Sequence, residues 1–174
     1  ILSNAVSVSL RDSPASPIGG DRATIELPQV QLEFITELRR HAKKLVVVLT
    51  GGSSIAIPEV HDFADAVLQV WYPGCEGGRA LAEVLFGDAS PSGKMPLTVP
   101  RRTADLPPFI DYAMKGRTYR FSGVEPLYPF GFGLSYAKFA YGPLTLSSTK
   151  LAAGQEVTVC TTITNSSARA ASEA

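Results

Sequence analysis

The sequence predicts an α/β fold: a partial parallel-sheet α/β sandwich with helices on both faces, followed by the first strands of an incomplete β-sandwich. A continuous apolar run at residues 45–50 and a largely apolar stretch at residues 64–72 each lie beside an amphipathic segment with helical spacing. Helices that alternate with fully apolar strands are typical of a parallel sheet covered by helices. From residue 137 onward a two-residue alternation takes over, which indicates a change of domain.

The first helix and strand are predicted within residues 27–50. Pro28 suits the first turn of a helix, and apolar side chains follow at four-residue spacing: Val30, Phe34 and Leu38. Cations close this helix, where its dipole favours positive charge: Arg39, Arg40, Lys43 and Lys44. The run LVVVLT, Leu45–Thr50, then predicts a strand buried on both faces, and Gly51 and Gly52 end it.

The pattern repeats along residues 64–100. ADAVLQVWY (64–72) predicts a second buried strand, RALAEVLFG (79–87) a second amphipathic helix, and KMPLTVP (94–100) a third short strand bounded by prolines. Near the start of the chain, the alternation in AVSVSL predicts one more strand, as if the sequence began in mid-protein.

Two domains are predicted, at residues 1–136 and 137–174. Residues 101–136 are rich in Pro, Gly and Tyr without a clear period, so we expect a long ordered loop. After it, FAYGPLTLSS and EVTVCTTITN predict two strands. A β-sandwich needs roughly seven strands, so the second domain is expected to be incomplete.

Composition excludes several classes of function. Lys plus Arg equals Asp plus Glu, which gives no electrostatic footprint for nucleic acid, and no run is long enough to cross a membrane. His41 and His61 are isolated, so no metal or other cofactor is predicted. Cys75 and Cys160 are expected to be independent thiols, although sequence leaves a disulfide open. Asn165-Ser166-Ser167 is a glycosylation sequon, meaningful only in a secreted eukaryotic chain.

Glycine-rich segments are the first candidate sites. GGSSIA and SPSGKM resemble nucleophile, dinucleotide and phosphate motifs but lack required residues, so they are interpreted as turns. PGCEGGRA, residues 73–80, could present backbone N–H groups to an anion or a sugar hydroxyl. Its glycines could equally allow a strand and a helix to approach closely, and this structural interpretation is favoured. Cys75 is interpreted as a packed thiol.

Charged and aromatic loop residues are the second group of candidates. Asp21 and Arg22 precede a helix and could clamp a sugar or form a local ion pair. Arg117 and Tyr119, within GRTYRF, have the side chains of a sugar-stacking surface or of a packing contact, and sequence leaves both open. YPFGFGLSY, residues 128–136, is interpreted as packing. Asp21, Arg22, Arg117 and Tyr119 are the predicted substrate-binding residues.

Four segments together carry a resemblance to a known family. They are GGDRATIELPQVQ, AVLQVWYPGCEGGRALAEVLFGDASPSGKMPLTVP, LPPFIDYAMKGRTYRF and EPLYPFGFGLSYAKF. In order and spacing, from about Gly19 to Phe139, they resemble the C-terminal half of glycoside hydrolase family 3 enzymes of the β-glucosidase and β-xylosidase type. The residues after them resemble the first strands of the fibronectin type III-like domain that commonly follows.

The resemblance implies a retaining β-glycosidase acting on non-reducing-end glucosides or xylosides, which needs two carboxyl groups. It places the nucleophilic Asp on an N-terminal barrel absent from this sequence, and the acid/base Glu just upstream of Asp21. Here no Glu precedes Glu26, Ile18 stands where many members place the acid, and nothing marks Asp12 as a substitute. The chain alone is therefore expected to be inactive or nearly so, and its catalytic residues are unknown.

Two alternatives remain open. The chain could be a non-catalytic carbohydrate-binding or partner-docking module, or it could fold only as a homo-oligomer that buries the face which the barrel would cover. The resemblance also implies a secreted or periplasmic protein.

Overall fold

The structure is a computed structural model that describes residues 5–9, 23–108 and 110–174. Within these ranges two compact units are distinguished. The first contains the residues up to Ala82 together with Met95–Phe132, and the second contains Glu83–Lys94 together with Gly133–Ala174. The predicted division between residues 136 and 137 stays a prediction.

A parallel sheet lies in the first unit. Its strands are β1, Ala5–Ser9, β2, Val46–Thr50, and β3, Ala66–Trp71, in the order β1-β2-β3. Both neighbouring pairs are parallel, with Ala5 opposite Val46 and Val46 opposite Ala66. Parallel neighbours require a crossover connection, and the chain between β1 and β2 and between β2 and β3 is helical in part. The α/β class and three of the predicted strands are thereby confirmed. The predicted burial of the second strand was wrong, since no residue of β3 is buried.

Four helices are described. They are α1, Gln29–His41, α2, Pro58–Phe63, α3, Gly77–Phe86, and the short α4, Thr118–Phe121. Helices α1 and α3 match the predicted segments, whereas α2 was not predicted, because six residues are too few for a periodic pattern. Helix α1 ends before Lys43 and Lys44, so the basic residues of its last turn are Arg39, Arg40 and His41.

The hydrophobic core centres on β2. Val47, Val48 and Leu49 are all buried, and because successive side chains of a strand point to opposite faces, β2 is covered on both sides. On helix α1, Ile35 is the fully buried side chain, and Leu32 and Leu38 pack against the core. The predicted stripe was therefore wrong at two positions, since Val30 and Phe34 are exposed. Leu32, Ile35 and Leu38 recur at three-residue spacing, which places them on a neighbouring face.

The predicted third strand at residues 94–100 is not part of the sheet. Its backbone instead pairs locally, with Val99 N–H donating to Tyr128 O at 2.8 Å and Leu127 N–H to Val99 O at 2.8 Å. Pro96 and Pro100 lack N–H donors and therefore cannot continue a ladder. The segment forms one antiparallel bridge, between Val99 and Tyr128. Met95 adds two backbone hydrogen bonds, since its N–H donates to Phe132 O at 2.7 Å and its O accepts from Gly131 N–H at 2.8 Å.

The second unit contains short antiparallel strands. β4, Phe139–Tyr141, pairs with β7, Ile163–Asn165, and β5, Thr145–Leu146, pairs with β6, Val159–Cys160. Between the two pairs, Gly142 N–H donates to Thr162 O at 2.8 Å, so the predicted two strands form one interrupted ribbon.

Asn165 ends β7 with a fully engaged side chain. Its Nδ2 donates to Arg169 O at 2.7 Å, and its Oδ1 accepts from Ser167 N at 2.9 Å and from Ser167 Oγ at 2.6 Å. These bonds shape the turn that follows the strand.

Among residues 5–9, 23–108 and 110–174, no helix is both long and apolar enough to cross a membrane.

Candidate functional site

A cavity of about 410 Å³ lies in the first unit, between the segment on either side of Val99 and the long loop. Two stretches of chain, 96–107 and 116–130, supply its walls. The walls combine apolar carbon from prolines, Leu97, Leu106 and Phe130 with several polar side chains: Thr98, Asp105, Arg117, Thr118, Tyr119, Ser122 and Glu125. Ligand sites of small molecules have this composition, mostly apolar with a small number of placed polar groups.

Arg117 holds the loop in shape. Its Nε donates to Ala113 O at 3.1 Å, and its Nη2 donates to Pro108 O at 3.1 Å and also to Asp111 O. A guanidinium presents several donors in a rigid fork, so one side chain can tie several carbonyls together. Much of the donor capacity of Arg117 is therefore used within the loop itself.

The backbone beside Arg117 is strained. Thr118 has a φ of +59°, which is unusual for a β-branched residue, and Gly116 has a φ of +78°. Strained conformations persist only where surrounding contacts hold them, and they cluster at functional sites. The left-handed turn at Thr118 begins helix α4 and fixes where the next residue, Tyr119, leaves the backbone.

Tyr119 and Phe130 form a stacked pair at the cavity. Their ring centroids are 4.7 Å apart with an interplanar angle of 18°, and the residues remain 55% and 49% exposed. Arg120 lies over the Tyr119 ring at 5.6 Å, and its Nε donates to Tyr119 Oη at 3.2 Å. Since Phe130 and Arg120 both lie against Tyr119, Phe130 offers the less occupied ring of the pair.

Thr98 lines the cavity, but its hydroxyl is buried and unsatisfied. Its Oγ1 is inaccessible to solvent and has no hydrogen-bond partner in the part of the chain that the structure describes. A buried polar group without a partner costs free energy and calls for an explanation. The carboxylate of Asp105, unlike the Thr98 hydroxyl, has a hydrogen-bond partner. Its Oδ2 accepts from Arg102 N at 3.2 Å and caps the 3₁₀-helix Thr103–Asp105.

Glu26 anchors that 3₁₀-helix to the chain before α1. Its two carboxylate oxygens accept from Thr103 N and Thr103 Oγ1, each at 2.6 Å, and Ile25 N donates to Thr103 Oγ1 at 3.0 Å. Burial raises the pKa of the Glu26 carboxyl, but the hydrogen bonds from Thr103 outweigh burial and hold that pKa below its ordinary value. This clamp fixes the position of Asp105 in the cavity wall.

Tyr128 supports the loop behind Phe130. Its ring stacks on Phe132 at 5.4 Å, and its Oη shares a hydrogen bond of 3.0 Å with His61 Nδ1. Burial raises the pKa of the Tyr128 phenol, so it stays neutral at physiological pH. The predicted packing role of residues 128–136 agrees with these contacts at Tyr128 and Phe132, whereas Phe130, Leu134 and Tyr136 are about half exposed or more.

The glycines of PGCEGGRA have structural reasons. Gly74 has a φ of +69°, and a Cβ at Gly77 would lie 2.5 Å from Pro73 Cγ. Both positions therefore require glycine for the turn between β3 and α3, as the structural interpretation predicted. Cys75 and Cys160 are both free and exposed, so Cys75 is not the packed thiol that was predicted.

The predicted binding residues fall into two groups. Arg117 and Tyr119 both line the cavity, whereas Asp21 and Arg22, like Asp12 and Ile18, lie outside the described residues. Sequence reasoning missed Thr98, because nothing in a short apolar segment marks an unpaired hydroxyl. Over residues 23–108 and 110–174, no cluster of three or more His, Cys, Asp or Glu side chains could hold a metal ion.

These features define an α/β domain with a loop-built cavity, and comparison with known proteins gives its family. Residues 4–136 match the glycosyl hydrolase family 3 C-terminal domain. Because the match covers most of the sequence, the chain belongs to glycoside hydrolase family 3.

Its relatives include proteins named β-xylosidase and proteins named β-glucosidase. The chain is 49% identical over 124 residues to a xylan 1,4-β-xylosidase from Xylanibacter ruminicola, covering 71% of this chain and 14% of the relative. It is 39% identical over 160 residues to a periplasmic β-glucosidase from Salmonella typhimurium, covering 85% of this chain and 21% of the relative. The chain thus spans about a fifth or less of the length of these two relatives.

A solved structure shares the fold. β-Glucosidase 3B from Thermotoga neapolitana, in complex with α-D-glucose, matches with a TM-score of 0.76 at 31% identity, covering 95% of this chain and 26% of that one. The similarity extends over both compact units, since nearly the whole chain is covered.

Proposed function

We propose that this chain is part of a retaining β-glycosidase that releases β-D-glucosyl or β-D-xylosyl units from non-reducing ends. Family membership carries the proposal, together with relatives named β-xylosidase and β-glucosidase. The cavity supports it, because aromatic carbon beside polar groups suits the two kinds of surface that a sugar presents.

Retaining hydrolysis requires a nucleophilic carboxylate and an acid/base carboxyl about 5 Å apart. By resemblance the nucleophile belongs to a barrel, and no acid/base Glu is recognisable before Glu26. We infer that this chain binds and orients the sugar, with Asp21, Arg22 and Tyr119 as direct contacts and Arg117 acting chiefly through the loop that it ties together. The isolated chain should then turn over little or nothing, because removing part of a catalytic unit costs many powers of ten in rate.

A chimeric enzyme that contains part of this chain tests the proposal. Residues 19–136 replace the matching segment of the X. ruminicola enzyme, and hydrolysis of p-nitrophenyl β-D-xyloside is measured. The chimera should turn over, Asp21→Asn within it should lose at least about a hundredfold in kcat/KM, and the control Asp62→Asn, an exposed carboxylate on α2, should lose nothing. A folded chimera without activity would contradict the proposal.

The isolated chain provides a second test. Aryl β-glucoside and β-xyloside should remain intact in its presence. Turnover abolished by Asp12→Asn or Asp21→Asn would mean that the chain carries its own catalytic carboxylate, and the division of roles proposed above would be wrong.

A second candidate function is sugar binding without hydrolysis. The cavity favours it, because its walls lie entirely within residues 96–130 and need no other part of a larger enzyme. Retained affinity for sugars in a chain that hydrolyses none would distinguish a binding module from a catalytic part.

The finer architecture and setting also belong to this proposal. We expect helices on both faces of the sheet and a fibronectin type III-like sandwich continuing from the antiparallel ribbon. The exposed Val30 and Phe34 on α1 would be covered by the barrel or by a second copy of the chain, which sedimentation velocity at several concentrations would reveal. The periplasmic relative supports a secreted or periplasmic location.

A further inference from the structure

We propose that the hydrogen-bonded pair Glu26 and Thr103 positions the substrate-binding loop, because this pair anchors the loop of Arg117 and Tyr119 to the core of the first unit. The inference rests on the proposed function, in which Tyr119 contacts the substrate. Glu26 and Thr103 are positioning residues: they act through the loop and do not touch the substrate themselves.

The core end of this connection is the chain that leads into α1. Ala56 is buried and donates its N–H to Ile25 O at 2.8 Å, and a parallel bridge joins Glu26 to Ala56. Leu27 follows directly and belongs to the hydrophobic core. The backbone of Glu26 is therefore held between two residues that core packing keeps in place.

Thr103 is bound to this segment through both its backbone and its side chain. Its N–H and its hydroxyl each donate to one carboxylate oxygen of Glu26 at 2.6 Å. The same hydroxyl accepts from Ile25 N at 3.0 Å. Hydrogen bonds to an ionised group are roughly twice as strong as neutral ones, and three bonds to two neighbouring residues leave Thr103 little freedom to turn. The start of the 3₁₀-helix Thr103–Asp105 is thereby tied to the core.

The loop end of the connection runs from this 3₁₀-helix to Tyr119. Leu106 N donates to Thr103 O at 3.0 Å, so the helix continues without a break into residues 106–108. Arg117 Nη2 donates to Pro108 O at 3.1 Å, which docks the loop on that stretch. Tyr119 follows two residues later, so its position depends on the hydrogen bonds between Glu26 and Thr103.

Hydrophobic burial does not hold this part of the chain. None of the described residues between 101 and 126 is buried, and the loop rejoins the core only at Leu127. Its position is therefore left to polar contacts, of which those between Glu26 and Thr103 lead back to the core. A binding side chain on such a loop is placed only as precisely as these contacts hold it, and small displacements weaken substrate positioning.

Thr103→Val and Thr103→Ser, made in the chimera described above, separate positioning from stability. Valine keeps the shape of threonine and loses the hydroxyl, whereas serine keeps the hydroxyl. Well below the melting temperature, KM for p-nitrophenyl β-D-xyloside should rise about fivefold or more in Thr103→Val and stay within about twofold in Thr103→Ser. If the pair only stabilised the fold, the folded fraction and hence the measured kcat would fall at unchanged KM.

Thr36→Val is the matched control for the loss of a threonine hydroxyl. The Thr36 hydroxyl is also part-buried, but it donates to Leu32 O at 2.7 Å within α1, away from the loop. Its KM should stay within about twofold of wild type. An unchanged KM in Thr103→Val, or an equal rise in Thr36→Val, would overturn the proposal. If Thr103→Val fails to fold, Glu26→Gln takes its place, since it removes the charge and keeps the size, and its KM should rise as well.

A spectroscopic measurement on the full chain requires no activity. The Tyr119 ring stacks on Phe130 at 4.7 Å, and its NMR signals can be assigned as the tyrosine signals that disappear in Tyr119→Phe. Thr103→Val should move these signals, whereas Thr103→Ser and Thr36→Val should leave them in place. Moved signals with an inactive wild-type chimera would refute the proposed hydrolysis alone. An active wild-type chimera with unmoved signals in Thr103→Val would refute the positioning role alone.

Discussion

The two compact units differ in what holds them together. Among the described residues, every buried apolar side chain except Ala137 belongs to the first unit. In the ribbon of the second unit, by contrast, Leu146, Val159 and Ile163 are about half exposed. Burial of apolar surface is the main favourable term in folding, so the first unit has a core of its own and the second relies on other interactions.

Polar contacts of the last residues supply those interactions. Glu173 accepts from Tyr141 Oη at 2.6 Å and pairs with Lys94 at 3.2 Å. Arg169 donates to Gly87 O and lies over the Tyr136 ring at 5.6 Å. Contacts of this kind contribute less than a packed core and respond to salt and pH. The difference between the units can therefore be measured by four experiments, given from the largest expected effect to the smallest.

Leu45→Ala against Leu146→Ala contrasts the two units directly. Leu45 is fully buried and Leu146 is 47% exposed. The first substitution should cost about 2–5 kcal/mol of unfolding free energy through lost burial and a cavity, and the second less than about 1 kcal/mol. Urea unfolding followed by circular dichroism measures both. Similar losses would show that the ribbon has a core after all.

Gly133→Ala tests backbone packing in the second unit. A Cβ at this position would lie 2.4 Å from Gly93 O, so the backbone must shift, and we expect a loss of about 1–3 kcal/mol. Gly123→Ala is the matched control, since no atom lies within 4 Å of its Cβ position. That variant should be neutral or slightly stabilised, because alanine restricts the unfolded chain. Equal stabilities would contradict the close contact.

Glu26→Gln tests the clamp on the 3₁₀-helix in the first unit. Weakening charge-assisted hydrogen bonds to Thr103 should cost about 1–3 kcal/mol near neutral pH. Because the folded-state pKa of Glu26 is lowered, its contribution is present above the ordinary value of 4.5 and is lost as pH falls through the folded-state pKa. The stability gap between wild type and variant, measured from pH 7 to pH 3, should therefore narrow. If the difference in stability between wild type and variant stayed constant with pH, the Glu26 carboxylate would not be its source.

Glu173→Gln should have the smallest effect. The hydrogen bond from Tyr141 and the pairing with Lys94 hold the pKa of Glu173 below its ordinary value, so its contribution is likewise lost on acidification. We expect a slight fall in melting temperature at low ionic strength that disappears in about 1 M NaCl, where the Debye length is about 3 Å. A fall that persists in high salt would indicate packing rather than charge.

Much of the fold followed from periodicity, and its failures have physical causes. The continuous apolar run of β2 predicted a strand buried on both faces, because such a strand needs no polar positions. The largely apolar stretch of β3 predicted a strand as well, but β3 includes Gln69 and none of its residues is buried. The predicted buried face of α1, with Val30, Phe34 and Leu38, was partly wrong because apolar residues occupy two faces of this helix. Tertiary packing decides which face is buried, and it buries Ile35. The segment 94–100 reads as a strand, yet its prolines restrict it to one bridge.

The candidate site was predictable only in part. Arg117 and Tyr119 were marked by residue type, since aromatic and guanidinium groups on a loop are typical of binding surfaces. Their different roles could not be predicted from the sequence, because loop geometry decides whether a guanidinium faces a ligand or its own backbone. Thr98 carries no sequence signal, since an unpaired hydroxyl is a property of its surroundings.

The engaged side chain of Asn165 has a consequence for the choice of production host. In a eukaryotic secretory pathway, the sequon Asn165-Ser166-Ser167 would be offered to the glycosylation machinery before the ribbon forms. The nitrogen that would carry the glycan is the one that donates to Arg169 O in the folded chain. Protein secreted from yeast would then be a mixture of molecules with and without a glycan on Asn165, whereas protein made in bacteria would be uniform.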